Sequence, residues 1–124
     1  MQVKTDTKEK FHAITVSGPS LSASMTEELF DCLLSYLQND LKNVVLNLKE
    51  LEQIDNSAAE TLVKVQQKFY DSNVSFVICE LQPGVEKFLD EVDLLEMMNV
   101  TPSESEAWDI VQMEEIEREL LGDE

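Results

Sequence analysis

Asp55, Asn56 and Ser57 stand where an apolar run, Val44-Val-Leu-Asn-Leu48, has given way to a short loop and a helical pattern begins. All three are good types for capping the free N–H groups of a helix start. A hydroxyl at that place has a second use. A phosphate on Ser57 would meet free N–H groups and the positive end of the helix dipole, and would bring about −1.5 to −2 of charge. Other reactive types are scarce. His12 is the only histidine and lies inside a strand pattern rather than at a strand end, so its expected role is structural. Cys32 and Cys79 form no C-x-x-C pair and each sits in an apolar pattern, which predicts two buried, reduced thiols rather than a disulfide or a metal site. No phosphate-cradling glycine loop, H-E-x-x-H pair or nucleophile elbow is present. The residues support neither an enzyme nor a cofactor.

Composition narrows the class further. The chain has 124 residues, 43% of them hydrophobic, enough for one core. Nine Lys and Arg stand against 26 Asp and Glu, a net charge of −17. That balance argues against nucleic acid, whose phosphates are neutralised by basic side chains, and against an anionic membrane surface. Arg118 is the single arginine, so bidentate anion clamps are nearly absent. The polar N-terminus shows no secretory signal, and no apolar run approaches the ~20 residues that span a bilayer. The expectation is a cytoplasmic, acidic module whose partner is another protein.

The elements follow from periodicity. Phe11 to Val16 reads as a strand stopped by Gly18-Pro19, and the residues around Val3 can pair with it. Met25, Leu29, Leu33, Leu37 and Leu41 mark an amphipathic helix over 25–41, with Ser24 or Thr26 as its N-cap. Val44 to Leu48 has the continuous apolar character of a central strand covered on both faces. Ala58, Leu62, Val65 and Phe69 define a second helix, ended at Asn73 by a left-handed residue. Val74 to Ile78 is the next strand, Pro83 opens a third helix over 84–92, and Asn99 to Thr101 is a short edge strand. Met97 and Met98 are expected to fill core. The tail from Ser103 carries nine acidic residues; its first half is a docked helix, and beyond Met113 it either continues the helix or frays. The order β-β-α-β-α-β-α-β-α describes one α/β domain with a mixed, mostly parallel sheet of four to five strands and about four helices.

The segment Leu48-Lys-Glu-Leu51-Glu-Gln-Ile54-Asp55-Asn56-Ser57-Ala58 resembles the signature of the STAS domain family, whose best-known members are bacterial anti-sigma factor antagonists. There a strand leads through an Ile-Asp-Ser-Ser/Thr-Gly motif into the second helix. The resemblance covers roughly Phe11 to Val111: Val74 to Ile78 looks like the fourth strand, Pro83-Gly-Val85 with Phe88 and Leu89 like the third helix, Ala107 like the alanine opening the last helix, and Gly18 with Leu21 like the loop after the second strand. It implies a STAS-like domain over 1–112 and an acidic extension over 113–124.

By the same resemblance, Ser57 is the phosphorylated position, and Ser22, Asp55, Asn56, Ser57, Ala58, Glu60 and Lys64 form the partner-binding set. The implied partner is an anti-sigma factor or regulatory serine kinase, with no cofactor and no catalysis by this chain. Three positions depart from the pattern. Asn56 replaces the first serine, Ala58 replaces the glycine and adds a methyl where a partner would approach, and Ser22 replaces the loop aspartate. These departures lean towards the other role implied by the family, a constitutive subunit or scaffold, for example of a lipid-transport ATPase, without phosphorylation.

Overall fold

Period-two alternation in the central strands decides the layers. In the sequence Val44-Val45-Leu46, the first and third side chains enter one apolar cluster and the second enters another; Phe76-Val77-Ile78-Cys79 divides in the same way. Both strands are therefore buried on both faces. The computed structural model describes residues 2–8, 11–18, 20–21, 23–39 and 42–121. Its strands and helices are β1 (Gln2–Thr7), β2 (His12–Ser17), β3 (Ser20–Leu21), α1 (Ala23–Ser35), β4 (Val44–Asn47), β5 (Gln53–Ile54), α2 (Asn56–Asp71), β6 (Phe76–Cys79), α3 (Pro83–Glu91), β7 (Val100–Thr101) and α4 (Glu104–Leu121).

The main sheet has the order β1-β2-β4-β6-β7. Only β1 runs antiparallel to its neighbour; the other three pairings are parallel. The mostly parallel α/β sheet with four helices agrees with the expected fold class. Side chains of α1, α2 and α3 share the larger cluster with Ile14, Leu46 and Ile78. Ala107 and Val111 of α4 close the opposite face over Phe11, Ala13, Val45 and Val77.

Helix ends follow their capping residues. Asn73 is left-handed (φ 59°), Val74 N–H reaches the Phe69 carbonyl at 3.0 Å, and Asn73 N–H reaches Tyr70 at 3.0 Å, the two bonds of a Schellman end. Asp93 (φ 62°) ends α3 in the same manner. Pro83 is the first residue of α3, as its missing N–H favours. Gly18 adopts φ 103°, a conformation that side chains disfavour, at the turn out of β2.

Two expectations need correction. The first helix does not run over 25–41: it begins at Ala23, so neither Ser24 nor Thr26 is its N-cap, and it ends at Ser35 before a 3₁₀ turn over Tyr36–Gln38. Ser35 Oγ donates to the Cys32 carbonyl at 2.6 Å, so a side chain competes with the backbone for the acceptor of the last turn. Leu41 lies outside the described residues. The methionines also divide: Met98 is buried, whereas Met97 is exposed.

Helix α4 crosses residue 113 without a break, because its second half is held by polar contacts. Glu114 accepts from Ser75 Oγ at 2.5 Å and Asn99 Nδ2 at 3.2 Å, and Glu115 accepts from Asn43 Nδ2 at 2.6 Å. Arg118 donates to Ser75 Oγ at 3.2 Å and Asn43 Oδ1 at 3.5 Å.

Candidate functional site

Parallel strands put the carboxyl ends of β2 and β4 at one edge of the sheet, where ligand and partner sites of open α/β sheets lie. The chain leaves β4 through a loop fastened at several points. Asn47, buried at the strand end, accepts from Lys49 N–H at 2.9 Å and donates to Glu104 at 3.2 Å. Leu48 N–H bonds the Cys79 carbonyl at 3.1 Å, Gln82 Nε2 donates to the Lys49 carbonyl at 2.7 Å, and Leu48 and Leu51 are fully buried. A two-strand pairing, β3 with β5, then sets Ser20 opposite Gln53 and Leu21 opposite Ile54. That pairing ties the loop after β2 to the entrance of α2. Strands of two residues carry too little periodicity to be read from sequence.

Asp55 is the N-cap of α2. Its backbone is extended (φ −91°, ψ 171°) and its Oδ1 accepts from Ala58 N–H at 2.9 Å. Asp55→Ala is expected to cost about 1 kcal/mol, within a range of about 0.5–2, and Asp55→Asn to recover most of it. Urea denaturation of the three proteins checks this; equal midpoints would show that the carboxylate does not cap the helix.

With Asp55 as cap, Ser57 is released from that duty. It sits exposed in the first turn, its carbonyl accepts from Thr61 Oγ1 at 3.1 Å, and its hydroxyl has no hydrogen-bond partner among the described residues. Asn56, Glu60 and Lys64 are exposed on the same helix, and Asn56 Nδ2 donates to Glu60 at 3.4 Å. Ala58 differs from the expectation. It is 1% exposed, with its methyl in the core cluster, so it adds no bulk to the surface a partner would meet. Ser22 lies outside the described residues.

Lys64, Gln67 and Lys68 of α2 are exposed, but Gln66 between them is not. It is half-buried instead, donating to the Phe76 carbonyl and accepting from Asn99 N–H, each at 3.0 Å, and so locks α2 to the sheet edge. Neither Gln66 nor Asn47 was legible as a positioning residue. The available signal was a polar residue within an apolar pattern, Asn47 after Val44-Val45-Leu46.

His12 is buried in β2. Its Nδ1 lies 3.0 Å from Thr7 Oγ1 and its ring 4.6 Å from that of Tyr36, which removes it as a solvent-facing acid or base. Cys79 is fully buried and Cys32 partly so; desolvation raises both thiols, and Cys79 is pushed up to about 12. Thiols so placed are poor nucleophiles and poor ligands at neutral pH. Among the described residues, no group of three or more His, Cys, Asp or Glu side chains could hold a metal ion, and no helix is long and apolar enough to cross a membrane.

The class these features define is an α/β module that presents one helix start, with an unengaged hydroxyl, beside the loops at the carboxyl ends of its parallel strands. Residues 2–107 match the STAS domain, and the chain belongs to that family. No curated protein matches its sequence. Among solved structures, it is similar to an anti-sigma-factor antagonist (STAS) domain protein from Planctomyces limnophilus, at 17% identity and a TM-score of 0.77, over 89% of this chain and 97% of that one. An anti-sigma factor antagonist from Mycobacterium paratuberculosis gives 14% identity and a TM-score of 0.77, over 90% and 93%. The murine anion transporter Solute Carrier 26 family member A9 gives 15% identity and a TM-score of 0.70, over 84% of this chain but 18% of the transporter.

Proposed function

We propose that the chain is a non-catalytic signalling module of the anti-sigma factor antagonist type. It binds an anti-sigma factor or regulatory serine kinase in the cytoplasm and is released by phosphorylation at Ser57, and so acts on transcription. The observation that carries this reading is the exposed Ser57 hydroxyl, left without an internal partner because Asp55 already caps the helix. The partner kinase supplies the ATP and the phosphoryl-transfer chemistry. Asn56, Glu60 and Lys64 surround the contact, Ser22 is a contact residue by resemblance to the family, Asp55 positions the contact, and Ala58 acts through packing alone.

A phosphate on Ser57 gains from the helix dipole, but Ala58 N–H is already engaged by Asp55. About −1.5 to −2 of charge is then added to a surface at −17. A partner with acidic groups at that contact is repelled while the domain stays folded.

Intact-mass and peptide mass spectrometry of the protein isolated from its own host tests the reading. A phosphate on the peptide carrying Ser57, absent from Ser57→Ala, is expected. An unmodified serine across growth conditions would sink the switch. It would favour the second reading, a constitutive STAS subunit or scaffold of a larger complex such as a lipid-transport ATPase, towards which Asn56 in place of the motif's first serine already leans.

A further inference from the structure

Helix α4 has a second apolar side that the domain does not use. Ala107 and Val111 are buried against the sheet, and Arg118 hydrogen-bonds to Ser75 on that same side. On the opposite side, Met113, Ile116 and Leu120 are 60%, 55% and 75% exposed. Their spacing, three and then four residues, is that of successive a, d and a positions of a heptad seam. Asp109, four residues before Met113 and exposed, closes the seam at its N-terminal end. An outward stripe of this kind on a soluble helix marks a contact surface.

Charge says what covers it. In that register Glu117 falls at the e position and Glu119 at the g position, one on each flank of the seam. Both are exposed, and neither has an ion-pair partner among the described residues. The one cation of α4, Arg118, is turned inward and occupied by Ser75 and Asn43. A second copy of the chain would set carboxylate flanks against carboxylate flanks, and an anionic lipid surface would repel them. A helix with apolar a and d positions and lysine or arginine on its flanks meets both the stripe and the charge.

We infer that the outer face of α4 from Met113 to Leu120 docks a basic amphipathic helix of a partner protein through a short, acidic-flanked heptad seam. The face lies beyond residue 107, where the match to the family ends, and is independent of the Ser57 reading.

The probe is a pair of synthetic three-heptad peptides with leucine seams, one with lysine at every e and g position and one with glutamate, titrated into the full chain and followed by NMR chemical shifts. The lysine peptide should perturb residues 109–121, bind about tenfold or more tightly than the glutamate peptide, and weaken as salt is raised. Ile116→Asp should weaken it about tenfold or more without moving the unfolding midpoint, because Ile116 is solvent-facing. Glu117→Lys combined with Glu119→Lys should reverse the preference towards the glutamate peptide. Equal binding of both peptides, binding of neither, or binding indifferent to Ile116→Asp overturns the proposal. A dimer in sedimentation that Ile116→Asp dissolves, or binding to phosphatidylglycerol vesicles through this face, overturns it too, in favour of a second copy or a membrane.

Discussion

Phe69→Ala is expected to remove about 3–5 kcal/mol of stability, from a total that for a domain of this size is roughly 5–15 kcal/mol. The ring is fully buried in the last turns of α2 and packs on Phe76 of β6, with centroids 5.1 Å apart and planes tilted by 40°. Alanine forfeits the transfer free energy of the ring. It also leaves a cavity between the helix and a strand fixed by neighbours on both sides, so the site cannot collapse fully. Helix α2 carries Ser57, so the loss weakens the element that presents the candidate site. Urea denaturation checks it. With a slope of about 1–3 kcal/mol per molar, the midpoint should fall by roughly one to several molar. Ser57→Ala, at an exposed position with no hydroxyl partner among the described residues, should leave the midpoint in place. A Phe69→Ala protein as stable as the parent would mean that α2 is not seated on the sheet through this ring.

The second large effect lies in alkaline solution. Burial pushes the Cys79 thiol up from 9.0 to about 12; the carboxylates of Glu80 and Glu104 add to the shift, and Lys49 opposes it. An unfolded chain releases this proton near pH 9, whereas the folded one holds it to about pH 12. Between those values the folded state binds more protons, so stability falls as pH rises, by about 1.4 kcal/mol per pH unit; below pH 9 the contribution is fully present. Cys79→Ala lacks the thiol, and its stability should decline more shallowly over that window by about that slope. Parallel denaturation series for parent and variant isolate the thiol from the lysines and tyrosines that titrate nearby. Identical slopes would show that Cys79 is hydrated in the folded protein.

Much of this molecule is local in origin and was therefore legible. The turn at Gly18, the left-handed Asn73 and the proline opening α3 are backbone preferences of single residues, and each stands where its chemistry places it. The doubly buried strands β4 and β6 announce themselves by nearly continuous apolar runs, interrupted in β4 by Asn47 alone, because a strand covered on both faces has no polar side to show. Asp55-Asn56-Ser57 was recognisable as a helix start and, by resemblance, as the family's motif.

What stayed hidden depends on partners distant in sequence. Which of three good capping residues takes the cap is decided by the angle at which the loop enters α2. That angle is set by the β3–β5 pairing and by Gln82 holding Lys49 from 33 residues away. Only that geometry gives the cap to Asp55 and frees the hydroxyl of Ser57. The direction of the Ala58 methyl, the reach of Gln66 to Asn99 and the inward turn of Arg118 towards Ser75 are likewise tertiary facts.

The acidic tail shows the division most clearly. Beyond Met113, composition alone left open a continued helix or a frayed end, since Glu114, Glu115, Glu117 and Glu119 repel one another and favour solvent. Asn43, Ser75 and Asn99, which lead into β4, β6 and β7, donate hydrogen bonds to Glu114 and Glu115 and so seat the second half of the helix, which runs to Leu121. Periodicity and turn chemistry, being properties of neighbours in the chain, determined the elements. Which polar side chains are used up in the fold and which are left for a partner was decided by contacts that exist only once the sheet has brought distant residues together.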